Sequence, residues 1–461
     1  MGIFAAIKFI FVPALYLGWL GISLYSIFQD TRYGLFFLVA MAPMPFFLYM
    51  LHPYPFGKDL TDVLTFSILA GIVVKNYGFP KTANRSLIIF FLLFTYFELW
   101  MACFRFSLPL PITKESYQLV DYKNYVEMIL FYFLAASLIS TESYRKKLIL
   151  IICSAFLVIN MQCIRNFSPT DVFSWNRRLD GGWWVVGLGP NHIGAFAAGC
   201  SAFFLGMFLN DDDRKRRLLY LVGVLSGLHP LLFSYSRGAY LGALGALVLF
   251  ALVNKRSLLI IVGVLVLSWT AILPSSVVDR IKMTENPQGE LESSAGERLD
   301  LWSLAVDLFE KNPVTGVGFD GYALTVSGRR FEFGTLNKHQ DAHNFYARTL
   351  AEQGIVGIFL LLALLFRSFQ SGWRLYTGGD SLFQRSIGLS FTGFVLAFSI
   401  TKVFGDRCSQ YVLGSYFWVL LGVVDAALLK ADSTMEDKAG GEPAGQSALL
   451  EPQEGAENEP N

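Results

Sequence analysis

The chain has 461 residues, of which 54% are hydrophobic, 15% aromatic and only 16% charged, with a formal net charge of +1. A water-facing globular surface takes roughly 25% charged residues, so this composition excludes an ordinary soluble protein and points to the bilayer as solvent. In such a chain only the distribution of charge is informative, so the net value identifies no partner, and no nucleic-acid partner is expected.

Taken in chain order, apolar segments fall near residues 3–27, 34–51, 59–75, 87–105, 122–140 and 147–163. Others follow near 191–209, 218–235, 239–254, 257–273, 354–371, 386–404 and 410–429. The first carries a single Lys8 and lacks a small-residue cleavage site, so it reads as an uncleaved span and not as a signal peptide. Pro43, Pro45 and the His52-Pro53-Tyr54-Pro55 run interrupt the second and third. The expectation is an all-α polytopic membrane protein with about 12–13 transmembrane helices. Cys103, Cys153, Cys163, Cys200 and Cys408 lie in or near apolar segments without metal-ligand spacing and read as small buried residues.

Basic clusters mark orientation. Arg145-Lys146-Lys147, Arg214-Lys215-Arg216-Arg217, Lys255-Arg256 and the Arg367, Arg374 and Arg385 group occupy alternate loops, which assigns those loops to the cytoplasm. The loops near 106–121, 164–190, 236–238, 274–353 and 405–409 then face outward, and the C-terminus faces inward. The stretch 274–353 far exceeds ordinary loop lengths, and helical patterning in Arg298–Leu308 and His343–Glu352 predicts a large extracytoplasmic helical loop that caps the outer face. Residues 1–170 supply N-terminal helices, 190–430 form a second region that includes this loop, and the acidic, Gly- and Pro-rich segment 431–461 is expected to be a disordered cytoplasmic tail.

Basic residues on the outward side run against the positive-inside bias: Arg177-Arg178, Arg237, Arg298, Arg329-Arg330 and Arg407. Arg237 is set in Phe233-Ser-Tyr-Ser-Arg-Gly-Ala-Tyr240, a tight turn between two apolar helices, where its guanidinium fork suits a phosphate or diphosphate and Gly238 permits close backbone approach. A snorkelling or carboxylate-paired arginine is the structural alternative. Arg298 stands at the start of an amphipathic helix, where an ordinary surface salt bridge would also satisfy the pattern. His192 reads as a capping or packing residue. His343, in Asp341-Ala-His-Asn-Phe-Tyr346, is the candidate for acid–base work, with Asp341 or Asn344 available to orient its ring; a solvent-exposed histidine without a role is the alternative.

His343-Asn344, nine residues, Gly354, two residues and Gly357 form a pattern that resembles the histidine signature of bacterial O-antigen ligases. Ser236-Arg237-Gly238, Arg298 ahead of Trp302, and Asn312-Pro-Val-Thr-Gly-Val-Gly318 precede it in an order similar to the shared C-terminal region of the O-antigen ligase and O-antigen polymerase superfamily. That resemblance covers roughly residues 190–430. It implies a glycosyltransferase of the GT-C-like type, acting in lipopolysaccharide or exopolysaccharide biosynthesis at the periplasmic face of the bacterial inner membrane. The donor would be an undecaprenyl-diphosphate-linked glycan, and the acceptor another glycan, lipid A-core sugar or a protein hydroxyl. No cofactor and no metal are implied. Carried over by position, Arg237 and Arg298 would hold the donor diphosphate, with Arg177 or Arg178 as a further contact, and His343 would be the catalytic base. Asn344, Gly354, Gly357 and Gly238 would support the motif, the glycine pair letting the re-entering helix pack closely. A polysaccharide flippase or other transporter is the competing class; it would share the many spans but would not need so large an outer cap. A non-catalytic scaffold is disfavoured by the intact Arg237, Arg298 and His343.

Overall fold

The computed structural model describes residues 3–113, 115–168, 178–179, 189–283, 293–332, 342–405 and 411–439, and all regular structure among them is helical. The helices in order are α1 (Ile3–Phe28), α2 (Thr31–Met41), α3 (Pro45–Leu51), α4 (Leu60–Val74), α5 (Arg85–Arg105), α6 (Tyr117–Leu138), α7 (Glu142–Asn166), α8 (Pro190–Asn210) and α9 (Arg214–Phe233). They continue with α10 (Arg237–Val253), α11 (Leu258–Ile272), α12 (Ser275–Lys282), α13 (Ser293–Lys311), α14 (Gly321–Glu332), α15 (Phe345–Gly378), α16 (Leu382–Lys402) and α17 (Tyr411–Ala439). The protein is therefore an all-α polytopic membrane protein, and each apolar segment of the sequence lies on a helix.

Among the described residues, seven helices are long and apolar enough to cross a membrane: α1, α5, α7, α8, α15, α16 and α17. The α2–α3 and α11–α12 pairs are each bent by 103°, and counting each as one span gives nine. Pro45 in the first turn of α3 and Pro274 ahead of α12 account for the two breaks, since neither can continue a preceding helix. The shorter α4 and α10 are apolar. The charged residues Asp121 and Lys123 lower the hydropathy of α6, and the Arg214–Arg217 run lowers that of α9.

At the centre of the bundle α16 packs against α8, α10 and α15, and α17 packs against α6. Small residues permit the approach: a Cβ on Gly206 would meet Ser390, one on Gly242 would meet Thr401 and Ala397, and one on Gly199 would meet the ring of Phe394. By contrast α11 buries none of its residues, and Leu267 is 85% exposed, as an apolar helix facing lipid should be. A polar hub ties α17 to its neighbours. The buried Asp425 carboxylate accepts from Asn84 Nδ2 (3.0 Å) and Tyr132 Oη (2.7 Å), and Asn84 Nδ2 also donates to Ser371 Oγ at 2.9 Å.

Contacts sort the loops into two ends. At one, Ser381 Oγ donates to Glu142 Oε2 (2.7 Å), while Lys146 and Arg216 both stand over the ring of Phe383. At the other lie the α5–α6, α9–α10 and α16–α17 junctions together with α12, α13 and α14. Among its described residues the stretch 274–353, expected as a helical cap, carries α12–α14 and the start of α15. The last helix, α17, runs to Ala439, so it extends over 431–439 of the segment expected as a tail. Residues 440–461 lie outside the described residues.

Candidate functional site

The α9–α10 turn is built around a backbone carbonyl cluster. Tyr235 takes a left-handed conformation (φ 50°) and anchors to α12 through its hydroxyl and Ser276 Oγ, 3.0 Å apart. Arg178 donates from Nε and Nη2 to the Ser234 carbonyl (3.0 and 2.9 Å) and from Nη2 to Asn191 Oδ1 (2.7 Å). The adjoining Leu179 N–H donates to the Phe233 carbonyl at 3.0 Å. These bonds pin the turn that presents Arg237, the first residue of α10. The half-buried Arg237 donates from Nη1 to the Met283 carbonyl at the end of α12, 3.3 Å away. Gly238 has helical backbone, and the space a Cβ would need is filled by the Phe404 side chain. Its missing side chain therefore admits a ring from the α16–α17 junction.

Arg298 lies on α13, one turn before Trp302 and on the same face. Trp302 Nε1 donates to the Ala342 carbonyl at 3.0 Å, which fastens α13 to the residue preceding His343. His343 is half-buried with φ 50°, a region that costs an L-residue about 1–2 kcal/mol. It is held between that tryptophan bond and Asn344, which is the N-cap of α15: Asn344 Oδ1 accepts from the N–H groups of Tyr346 (3.0 Å) and Ala347 (3.2 Å). Phe345 follows under the buried Lys402, whose Nζ is 4.4 Å from its ring centroid and 4.1 Å from that of Phe398.

Three helical turns beyond the cap, α15 breaks at Gly354 (φ 61°, ψ −157°). The break frees backbone groups that the Asn312–Gly318 segment then satisfies. Val317 N–H donates to the Ala351 carbonyl (2.9 Å), Gly318 N–H to the Glu352 carbonyl (2.8 Å), and Ile355 N–H to the Pro313 carbonyl (2.9 Å). A Cβ on Gly354 would sit 2.3 Å from the Val314 carbonyl oxygen, and one on Gly316 would be 2.3 Å from the Glu352 carbonyl carbon. Gly318 abuts the backbone of Ala102 on α5 in the same way, and Phe319 N–H donates to the Glu98 carbonyl (3.1 Å). Gly357 faces the Gln353 side chain across the break. The glycines thus admit the Asn312–Gly318 loop close against the bend in α15.

Between α5, α6, the Phe319-Asp320 turn and the start of α15 lies a cavity of about 280 Å³, whose lining includes Asp121, Asp320, Arg348, Glu352 and Gln353. Arg348 bridges Asp320 Oδ1 and Glu352 Oε1, each at 3.0 Å. Glu352 Oε1 also accepts from the Tyr322 N–H at 3.3 Å, and Asp320 has φ 61°. Partial burial, with the carboxylates of Asp320 and Asp121 nearby, pushes the Tyr117 phenol above its usual range.

The structure therefore brings the elements carrying Arg237, Arg298 and His343 to one end of the bundle, through Met283, Trp302 and the Phe404–Gly238 contact. Arg178 is there as well, with its Nε and Nη2 on backbone and Asn191 oxygens. Arg177, Asp341 and Arg407 lie outside the described residues. Sequence reasoning passed over Arg280, which is 6% exposed on α12, along with Lys402, Arg348 and Asp320. Arg280 and Lys402 carried a usable signal, being basic residues on the side that the charge pattern assigns outward. The Arg348–Asp320 pair joins residues far apart in the chain and had none.

Residues 221–362 match the model of a family described as O-antigen ligase. A separate comparison aligns 176 residues, 34% of the chain, at 23% identity with a protein of Haemophilus influenzae that carries only the description uncharacterised. The chain spans 44% of that relative's length.

Proposed function

From the match of residues 221–362 to the O-antigen ligase family model, we propose that the chain is a membrane glycosyltransferase of the O-antigen ligase and polymerase type, using an undecaprenyl-diphosphate-linked glycan as donor. The reaction is a single displacement at the anomeric carbon. An acceptor hydroxyl oxygen forms the new glycosidic bond, the bond from the anomeric carbon to the diphosphate oxygen breaks with its electron pair, and the hydroxyl proton passes to the imidazole of His343. Configuration inverts, and no protein nucleophile is needed. Arg237 and Arg298 receive the developing diphosphate charge through guanidinium forks, in surroundings partly screened from water. Arg178 holds the α9–α10 turn that presents Arg237. The basic end around Lys146 and Arg216 faces the cytoplasm of a bacterial inner membrane and the site faces the periplasm.

The observation that carries this reading is the setting of His343. It sits in left-handed backbone, tied on one side to the helix of Arg298 by Trp302 and on the other to the cap of α15. Strain of this kind persists where surrounding structure over-determines it, and it concentrates at functional sites.

Purified protein in nanodiscs, given undecaprenyl-diphosphate glycan and either lipid A-core or a second lipid-linked glycan, should transfer the glycan, and His343→Ala should abolish transfer while leaving the fold intact. A ladder of repeats identifies a polymerase, and a single addition to lipid A-core a ligase. Undiminished transfer by His343→Ala would remove the catalytic assignment, and movement of intact lipid-linked glycan across vesicles without transfer would favour a transporter.

A further inference from the structure

Lys402, the last residue of α16, is 0% exposed. A lysine at a helix end ordinarily lays its stem along the protein and leaves its ammonium in water, and a fully buried one is rare unless something inside holds the charge. Here Nζ stands 4.4 Å from the ring centroid of Phe345 and 4.1 Å from that of Phe398. Both distances are those of a cation–π contact, which is strongest where water is excluded. Phe398 lies one turn back on the same helix, whereas Phe345 is the first residue of α15. The ammonium therefore joins the end of α16 to the start of α15. A second bond runs beside it, from Tyr346 Oη to the Ser399 carbonyl at 2.9 Å.

The same stretch of α16 also holds α10. Cβ atoms on Gly242 and Gly245 would meet the side chains of Thr401 and Ile400, and one on Gly238 would meet Phe404. The absent side chains bring α10, whose first residue is Arg237, against residues 397–404. His343 stands two residues before Phe345, and on its other side the Trp302 bond holds the Ala342 carbonyl. One end of a single helix thus carries contacts to the elements of both Arg237 and His343. The contact to α10 is close packing at glycines, while the contact to Phe345 depends on a charge. We propose that Lys402 is a positioning residue, which by holding the ring of Phe345 fixes the imidazole of His343 relative to Arg237. Its effect on transfer rests on the glycosyltransferase reading; the docking of the α15 start does not.

The test uses the full-length protein in nanodiscs and two readouts. One is hydrogen exchange at the amides of Tyr346 and Ala347, which donate to Asn344 Oδ1; the other is kcat and KM for donor and acceptor. Lys402→Met keeps an unbranched apolar stem and removes the charge. It should speed exchange at both amides by about tenfold to thirtyfold, as for loss of a desolvated cation–π contact. It should also lower kcat by about 10²-fold, as for a base displaced by an ångström, with both KM values near wild type. Lys402→Arg, whose guanidinium also stacks on rings, should recover most of both losses. Phe345→Leu should match Lys402→Met, and the double variant should lose no more than either alone. If Lys402→Met does not fold, Phe345→Leu decides by the same two readouts. Equal performance of the Met and Arg variants would reduce Lys402 to packing. Additive losses would show that it does not act through Phe345, and a raised donor KM at unchanged kcat would make it a diphosphate contact; each of these overturns the proposal. Faster exchange in the variants of a protein that transfers no glycan would instead sink the transferase reading and leave the docking standing.

Discussion

His343 combines a titratable ring with a backbone conformation that most residues avoid, and the neighbouring bonds from Trp302 and Asn344 make that conformation the resting one. Replacing His343 by Ala should therefore lower the transfer rate by about 10²–10⁴-fold, the range for a lost general base, with melting temperature in detergent close to wild type. Arg237→Ala should lower the rate by about 10²–10³-fold, as for removal of one oxyanion donor, and Arg237→Lys should restore only part of it because an ammonium cannot fork. Gly354→Ala acts through the fold. The left-handed dihedral alone costs about 1–3 kcal/mol, and the new Cβ would collide with the Val314 carbonyl, so the variant should lose melting temperature as well as activity. These residues were legible in the sequence because they form a spaced pattern. The reason for the spacing was not legible: the residues from Asn344 to Gly354 make three turns of helix between a cap and a break, and only the fold reveals that the break pairs with Pro313–Gly318.

Among the elements, α15 is half cap and half span, and the sequence divided it into a loop helix and an apolar segment without showing that they are one element. Apolar runs located the helices well, since lipid-facing and core positions both demand apolar side chains. They could not reveal the polar hub around Asp425, because a single Asp in an apolar run gives no hint of partners at positions 84, 132 and 371. Asp425→Ala would remove the acceptor that Asn84 and Tyr132 share, leaving them only Ser371 and Thr82 as partners, at a cost of roughly 1–3 kcal/mol. A lowered melting temperature with transfer activity retained below it would agree with a structural hub far from the chemistry. Loss of activity without loss of stability would contradict that.

For the whole molecule, alternate basic loops in the sequence anticipated two distinct ends, and the contacts Glu142–Ser381 and Arg237–Met283 fall at opposite ones. Sidedness can be checked in intact cells with a membrane-impermeant thiol reagent: Gly296→Cys on α13 should be labelled, and Asp212→Cys between α8 and α9 should not. The reverse pattern would invert the topology and put the site in the cytoplasm. How the cap seats on the bundle was invisible in the sequence, because it depends on backbone carbonyls of α5 and α15 meeting N–H groups of the 312–319 segment, and backbone groups leave no mark on residue type except at glycine.

The backbone bonds around the α15 break also fix how the cap can behave in time. Swinging α13 and α14 away from the bundle would require the amides of Val317, Gly318 and Phe319 to let go of carbonyls on α15 and α5 together. The cap is thus latched, which would hold Arg298 and His343 at a fixed spacing before any substrate arrives. Hydrogen–deuterium exchange should find those three amides exchanging slowly, on the timescale of global unfolding, without added donor or acceptor. Fast exchange there, slowed only by substrate, would mean that the site is assembled on binding.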